Sequence, residues 1–407
     1  MDKIFKSLDT RKDLVVELQR KLTAIPAIGP KNGGTGEKEK ADFLMQYLKD
    51  MGISDIREFN APDSSVPCGY RPNIAAVIPG RNTEKTLWVI GHIDIVPPGD
   101  LTLWNTDPYE LVVEGDKLIG RGVEDNQQAM VSALLVAHEL LEKDITPEFN
   151  YGMLFVADEE TGSAHGLGYM VEEHAEVFRK GDLFLVPDSG EPNGEAVEIA
   201  EKSSLWTKVV VEGRQCHASS PEQGNNTMYP SAALILKIRE LEEIFDAEDP
   251  LYDPSRSTFQ ATKREANVEN VNTIPGRDVF HVDSRILPEY KIEDVSARIR
   301  EFADEVAEEY GVTITCIADK GEQAAPPTPE NSEIALRTLK SVKKVYGNNP
   351  RFVGIGGGTV AAFLRRHGHD AVVWSTLHHN AHQPNEWALI SNTIGDAKVF
   401  ADMVLSN

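Results

Sequence analysis

Apolar, β-rich runs near residues 72–78, 87–92, 151–157 and 183–187 alternate with helical stretches near 10–25, 36–52, 127–143 and 165–179. Parallel neighbours need a crossover between them, so this alternation predicts an α/β layer with a mostly parallel sheet. From about residue 204 the order changes. "LWTKVVVEG" reads as a strand, "TMYPSAALILKIRELEEI" as an amphipathic helix, and "FQATKREAN" and "RDVFHVDSRIL" as strands. "IEDVSARIREFADEVAEEY" is then a second helix and "GVTITCIA" a last strand. This β-α-β-β-α-β series is a ferredoxin-like α+β unit able to close its own core. A proline-rich exit, "GEQAAPPTPENSE", leads to a helix over 332–346, a strand, a glycine turn, another strand and a closing helix. At 407 residues the chain exceeds one ordinary core. The expected boundaries are 1–203 and 321–407 for a split first domain and 204–320 for the inserted one.

Chemistry-bearing residues sit where the strands run out. In "LWVIGHIDIVPPGD", Leu87 to Ile90 form a buried strand that Pro97, Pro98 and Gly99 stop, leaving His92 and Asp94 at its mouth. Alternation by two places both on one face, close enough for one to orient the other. "LIGRGVEDNQQAMVSALLVAHELL" leaves Asp125 between a glycine-rich turn and a helix. "YGMLFVADEETGSAHG" ends a strand in Asp158, Glu159 and Glu160, and "DLFLVPDSGEP" leads to Asp188. "WSTLHHNAHQPNEWALI" brings His378, His379 and His382 before the final helix. Singly, each has an ordinary structural explanation: a surface histidine, a helix N-cap, a solvated acidic loop, a polar turn. Together they fall at the ligand-gathering end of one sheet, where burying carboxylates without a cation is costly.

These residue types suit a pair of divalent ions such as zinc, which accepts both imidazole nitrogen and carboxylate oxygen. His92, Asp125, Glu160, Asp188 and His382 are the candidate ligands. Their carboxylates against two dications leave one positive charge for a hydroxide, the composition that makes a nucleophile at neutral pH. Glu159 is the adjacent carboxylate left over, free to take the water's proton and pass it to a leaving amine. Asp94 is expected to accept a hydrogen bond from the non-ligating nitrogen of His92 and fix its tautomer.

Composition narrows the partners. Asp and Glu number 65 against 41 Lys and Arg, a net charge of −24, which speaks against nucleic acid or an anionic membrane. Cys68, Cys216 and Cys316 form neither a disulfide framework nor a metal knuckle, so a reducing, cytoplasmic setting is expected. The N-terminal stretch is charged and amphipathic without an apolar signal region, and no run approaches membrane-spanning length.

"GHIDIVPPGD", "GRGVEDN", "ADEETGS", "PDSGEP" and "HQPNE", in that order, resemble the M20 metallopeptidases, closest to the acetylornithine deacetylase / succinyl-diaminopimelate desuccinylase branch. The resemblance runs from about residue 15 to the end. It implies a two-zinc (or cobalt) hydrolase of amide bonds with Asp125 bridging and followed by a cis peptide. One ion would take His92 and Asp188, the other Glu160 and His382, with Glu159 the general base. The inserted domain is similar to the family's lid, which also forms a homodimer interface. In "GRQCHASSPEQGNN", His217 would reach the active site of a second copy and stabilise the tetrahedral oxyanion, where one donor is worth roughly 3 kcal/mol. Asn272 in "VNTIPG", Arg285 in "VDSRILP" and Gly357, Gly358 and Thr359 in "GIGGGTVA" match the places that hold a substrate carboxylate. Two departures bear on substrate. Asn126-Gln127-Gln128 replaces the usual lysine-glycine segment, and Lys202 stands where desuccinylases carry an arginine for the succinyl carboxylate.

The resulting expectation is an amidohydrolase acting on an N-acyl amino acid or a short peptide, with a dipeptidase or carboxypeptidase of the same family as the alternative. A two-metal phosphoesterase would want cationic groups for its phosphate, and the Glu159–Glu160 doublet speaks against that.

Overall fold

The computed structural model describes residues 1–406 and divides into two compact units. The first comprises Met1–Ile199, Thr328–Phe352 and the chain from Phe363 onward, and the second Ala200–Pro327 with Val353–Ala362. The short return segment belongs to the second unit because its backbone and side chains are fastened there. Gly354 N–H donates to the Leu251 carbonyl, and the Arg285 guanidinium donates to the Gly356 carbonyl.

The main sheet has eight strands in the order Asp55–Pro62, Tyr70–Ile78, Phe149–Val156, Asn82–His92, Leu183–Val186, Ala371–Val373, Ala196–Glu201, Arg351–Ile355. The four central strands, from Phe149–Val156 to Ala371–Val373, run parallel, and the pairs outside them toward Tyr70–Ile78 and Asp55–Pro62 are antiparallel. Leu87 to Ile90 and the whole of Phe149–Val156 are buried, as a strand covered on both faces requires. The helix Gln127–Glu142 packs on this sheet and against the closing helix Ile390–Leu405. Even the polar Gln127 and Gln128 at its start are buried. Gln128 donates to the Thr376 carbonyl and to Asp396 of the closing helix, so burial costs it no hydrogen bond.

Several elements lie outside the sequence expectation: the helix Asp2–Leu8, the strands Asp55–Pro62 and Ala196–Glu201, and a small sheet of Val112–Glu114, Lys117–Ile119 and Trp387–Leu389. The strand Ala196–Glu201 carries two buried glutamates, which disguise it in a hydropathy reading. Glu198 is neutralised by Arg365 at 2.8 Å.

The second unit is a four-stranded antiparallel sheet in the order Thr258–Arg264, Arg277–Ile286, Ser203–Glu212, Thr313–Glu322, the ferredoxin-like arrangement. Val295, Ile299, Phe302 and Val306 form the buried stripe of the helix Ile292–Tyr310 and meet Val209, Val211, Phe280 and Leu234 in one core. Gly311, in the left-handed region at φ 62°, ends that helix.

Candidate metal centre

The parallel strands deliver their last residues to one end of the sheet. His92 closes its strand, Asp158 to Glu160 follow Val156, and Asp188 follows Val186. Gly91 precedes His92 for a spatial reason. A Cβ there would stand 2.9 Å from Asn126 Oδ1, so only glycine lets the Asp125–Asn126 turn come this close. That peptide bond is cis.

Five residues gather into two donor groups that share one carboxylate. His92, Asp125 and Asp188 form one group, and Asp125, Glu160 and His382 the other, with each residue's ligand atom within 4.8 Å of the others in its group. His92 Nε2 lies 2.8 Å from Asp125 Oδ1 and 3.6 Å from Asp188 Oδ1. His382 Nε2 lies 3.0 Å from Asp125 Oδ2 and 3.1 Å from Glu160 Oε2. The two Asp125 oxygens thus face different groups, the disposition of a bridging carboxylate. His382 itself has φ 65°, a left-handed conformation costly for a residue with a Cβ and typical of functional sites.

The electrostatics of the cluster are dominated by its carboxylates. Burial, with Asp188, Glu160 and Asp125 adding their charges, pushes the Glu159 carboxyl well above the ordinary range. Burial likewise raises Glu160 and Asp188. Hydrogen bonds donated to Asp125 and Glu160 push His382 up to about 10. Burial opposes charge on His92, but Asp125 and Asp188 hold it protonated well above its usual value. Four carboxylates, Asp125, Glu159, Glu160 and Asp188, crowd two imidazoles, so the site is short of positive charge. Nitrogen and oxygen donors, a shared carboxylate and a deficit of cations together fit two divalent ions. The Glu159 carboxylate takes no hydrogen bond from the described residues, which leaves it free for a water or substrate proton.

Asp94 does something other than expected. The His92 Nδ1–H donates to the Asp94 backbone carbonyl at 2.9 Å, while the Asp94 carboxylate stands 3.6 Å away. That carboxylate instead accepts the Glu159 and Glu160 amides, each at 3.0 Å. Behind the turn, Asp158 sits in the left-handed region (φ 60°) and is gripped by Arg71, Thr161 and His165. Arg71 also forks onto the buried Glu37.

The remaining predicted site residues lie in the second unit. His217 is exposed and pairs with Thr273 across a two-residue ladder, and the Asn272 carbonyl accepts the Ala218 amide. The Ser219 amide and hydroxyl both donate to His217 Nδ1, so the neutral ring carries its proton on Nε2. Arg285 forks onto Asp283. The Thr359 amide and hydroxyl both donate to Glu201, and so are already engaged within the fold. A Cβ at Gly357 would meet nothing within 4 Å, whereas one at Gly358 would lie 3.8 Å from Glu201 Oε2. The Lys202 ammonium donates to the Pro254 and Arg256 carbonyls at 2.7 and 2.6 Å, an internal brace.

Sequence reasoning missed three groups that fasten these loops: Glu124, Asn126 and Glu386. Asn126 Nδ2 donates to the Pro187 carbonyl and to Asp188 Oδ1, and its Oδ1 accepts the His92 amide. The available signal was their position, one residue from Asp125 or four from His382.

A shared carboxylate between two imidazole-bearing groups, at the strand ends of an α/β sheet, is an arrangement suited to metal-dependent hydrolysis. The chain belongs to peptidase family M20: the description "Peptidase family M20/M25/M40" matches residues 88–406. It is a metallohydrolase of that family, whose members use divalent metals. An uncharacterised metallohydrolase of Methanocaldococcus jannaschii is 40% identical over 407 residues, covering 96% of this chain and 98% of that one. Succinyl-diaminopimelate desuccinylase of Nitratiruptor sp. is 25% identical over 376 residues, covering 91% and 94%. The aminopeptidase PepT structure from Bacillus cereus superposes with a TM-score of 0.76 at 17% identity, covering 97% and 98%, a likeness of fold.

Proposed function

We propose that this protein is a two-zinc hydrolase, with cobalt able to substitute, that cleaves the amide bond of an N-acyl amino acid. The carrying observation is the division of the two Asp125 oxygens between separate imidazole-carboxylate groups, beside a free Glu159 carboxylate. His92 and Asp188 would hold one ion, Glu160 and His382 the other, and Asp125 both. The bound ions would supply a nucleophilic water at neutral pH and polarise the scissile carbonyl. Glu159 takes a proton from the attacking water and delivers it to the leaving nitrogen, a role its burial among other acids suits by raising its affinity for protons. His217 of a second copy is assigned to the developing oxyanion, which its Nε2–H suits. Asn272, Arg285, Gly357 and Gly358 are assigned to the substrate carboxylate, but not Thr359, whose amide and hydroxyl are taken by Glu201.

The homodimer belongs to the same reading. Tyr229, Ala232 and Leu236 form an exposed apolar row on the helix Met228–Ile238, with Tyr229 and Leu236 at 67% and 65% exposure, and a second copy would cover it. No helix among the described residues is long and apolar enough to cross a membrane, and the three cysteines are unpaired, in keeping with a reducing cytoplasm. A dipeptidase or carboxypeptidase reading is kept because the fold is shared with solved peptidases, among them an M20 family metallo-carboxypeptidase from Sulfolobus solfataricus.

The test is metal content measured alongside hydrolysis of N-acetyl and N-succinyl amino acids and dipeptides. Two ions per chain, and activity lost in Glu159→Ala while the metal stays, are expected. Preference for substrates with a free α-amine would select the dipeptidase reading. Absence of bound metal, or unaffected activity in the variant, would overturn the proposal.

A further inference from the structure

Two buried glutamates exchange places between the loop that carries Asp125 and the loop that carries His382. Glu386 lies four residues beyond His382, and its carboxylate serves the Asp125 loop. Oε1 accepts the Glu124 and Asp125 amides at 2.9 and 3.0 Å, and Oε2 accepts the Gly122 amide at 3.0 Å and the Arg121 guanidinium at 2.7 Å. Glu124 adjoins Asp125, and its carboxylate serves the His382 loop. It accepts the His378 amide through one oxygen and the Asn380 and Ala381 amides, at 2.9 and 3.1 Å, through the other. Both side chains are fully buried.

Holding a loop shut does not require buried charge. Neutral side chains cap backbone amides at less desolvation cost, and among the described residues Glu124 has no ion-pair partner to offset its burial. What a carboxylate adds is two acceptor oxygens fixed in one plane, able to hold three amides at once and so set a loop's orientation as well as its position. The small sheet of Lys117–Ile119 and Trp387–Leu389 already ties the two segments together further along. The exchange therefore acts on the part that remains, the turn bearing each donor.

The two donor groups depend on this exchange unequally. His92 ends a core strand, and Asp188 is fixed by Asn126 Nδ2 at 2.8 Å, so their group has its own supports. His382 has a half-exposed ring and a left-handed backbone, and its loop is held by Glu124. We propose that Glu124 and Glu386 are positioning residues that preset the bridging Asp125 against His382, with Glu124 governing the Glu160–His382 ion and Glu386 both ions. This rests on the reading of Asp125 and His382 as metal ligands.

The experiment is a competition titration of the zinc-loaded full-length protein with a chromophoric chelator, resolving the two ions. In Glu124→Gln, the ion that His382→Ala also weakens is expected to be released at least 10-fold more readily while the other keeps wild-type affinity. Glu386→Gln is expected to weaken both. A merely structural role would shift both ions together in Glu124→Gln, or neither, and either result overturns the inference. Should Glu124→Gln fail to accumulate, Glu124→Asp keeps the charge, withdraws the carboxylate by one methylene and permits the same comparison. His382→Ala with both ions held at wild-type affinity would instead overturn the ligand assignment itself.

Discussion

The Asp94 carboxylate accepts the Glu159 amide through Oδ1 and the Glu160 amide through Oδ2, both at 3.0 Å. One side chain therefore sets the turn that presents both a candidate ligand and the candidate base. Asp94→Asn keeps the shape but turns an N–H₂ toward one of those amides. The expected outcome is a fall in kcat of about 10- to 100-fold with metal still bound, measured by steady-state kinetics and metal analysis together. Unchanged kcat would mean the turn holds itself.

Arg71 pairs with Glu37 and reaches Asp158 at 3.3 Å, all three side chains being buried. Arg71→Met strands two carboxylates away from water and should cost about 3–5 kcal/mol in denaturant unfolding. Adding Glu37→Gln to that variant should recover part of the loss, because the charge left without a partner is then removed. A double variant no better than the single one would refute this account.

Lys40 is fully buried, and its ammonium has no hydrogen-bond partner. Burial pushes it down to about 8, against the pull of Asp94, Glu386 and Glu37. Below that pH both folded and unfolded chains carry the proton, and the burial penalty is present in full. Between there and the ordinary lysine value of about 10.4, the folded chain has shed a proton that the unfolded chain keeps, so stability rises with pH. Lys40→Met should therefore exceed the parent by about 3 kcal/mol at neutral pH, with the gap closing across that window. Equilibrium unfolding of both proteins at a series of pH values, at equal metal content, checks the sign.

If His217 acts in the site of a second copy, His217→Ala should lose roughly 100-fold in kcat with KM little changed. Co-expression of His217→Ala with Glu159→Ala should then restore activity in mixed dimers, since one site of each pair regains both groups. Persistent inactivity of the mixture would place the histidine in its own chain's site, and full activity of His217→Ala alone would place it outside catalysis.

Much of this arrangement is legible in the sequence because strand ends and turns are local events. Apolar runs punctuated by Pro-Pro-Gly or an acidic cluster show where a chain leaves a sheet, and the candidate ligands are those departures. What fails is inference across the boundary of an element. Alternation by two would aim the Asp94 carboxylate along the His92 face, but the strand stops at His92. Beyond that point the pleat no longer governs direction, and the Asp94 carbonyl meets the ring instead. The Glu124–Glu386 exchange was illegible for another reason: its partners lie more than 250 residues apart, as in the 254 residues between Glu124 and His378. No periodicity reports a contact of that span. The strand Asp55–Pro62 escaped because it is an edge strand with one mostly solvated course and little apolar signal.

The exchange of carboxylates between distant loops also orders events at the ribosome. When Asp125 emerges, the oxygens that will hold its loop belong to a residue not yet added, and Glu124 has no amides to receive. Glu160 and Asp188 follow on later strands, yet even once they are made the shared carboxylate has no fixed direction. Only after residues 378–386 have joined, and the closing helix has packed behind them, does the cluster acquire its final form. Assembly of this centre is therefore one of the last steps in making the chain, and an interrupted polypeptide carries most of the donors without the means to hold them together.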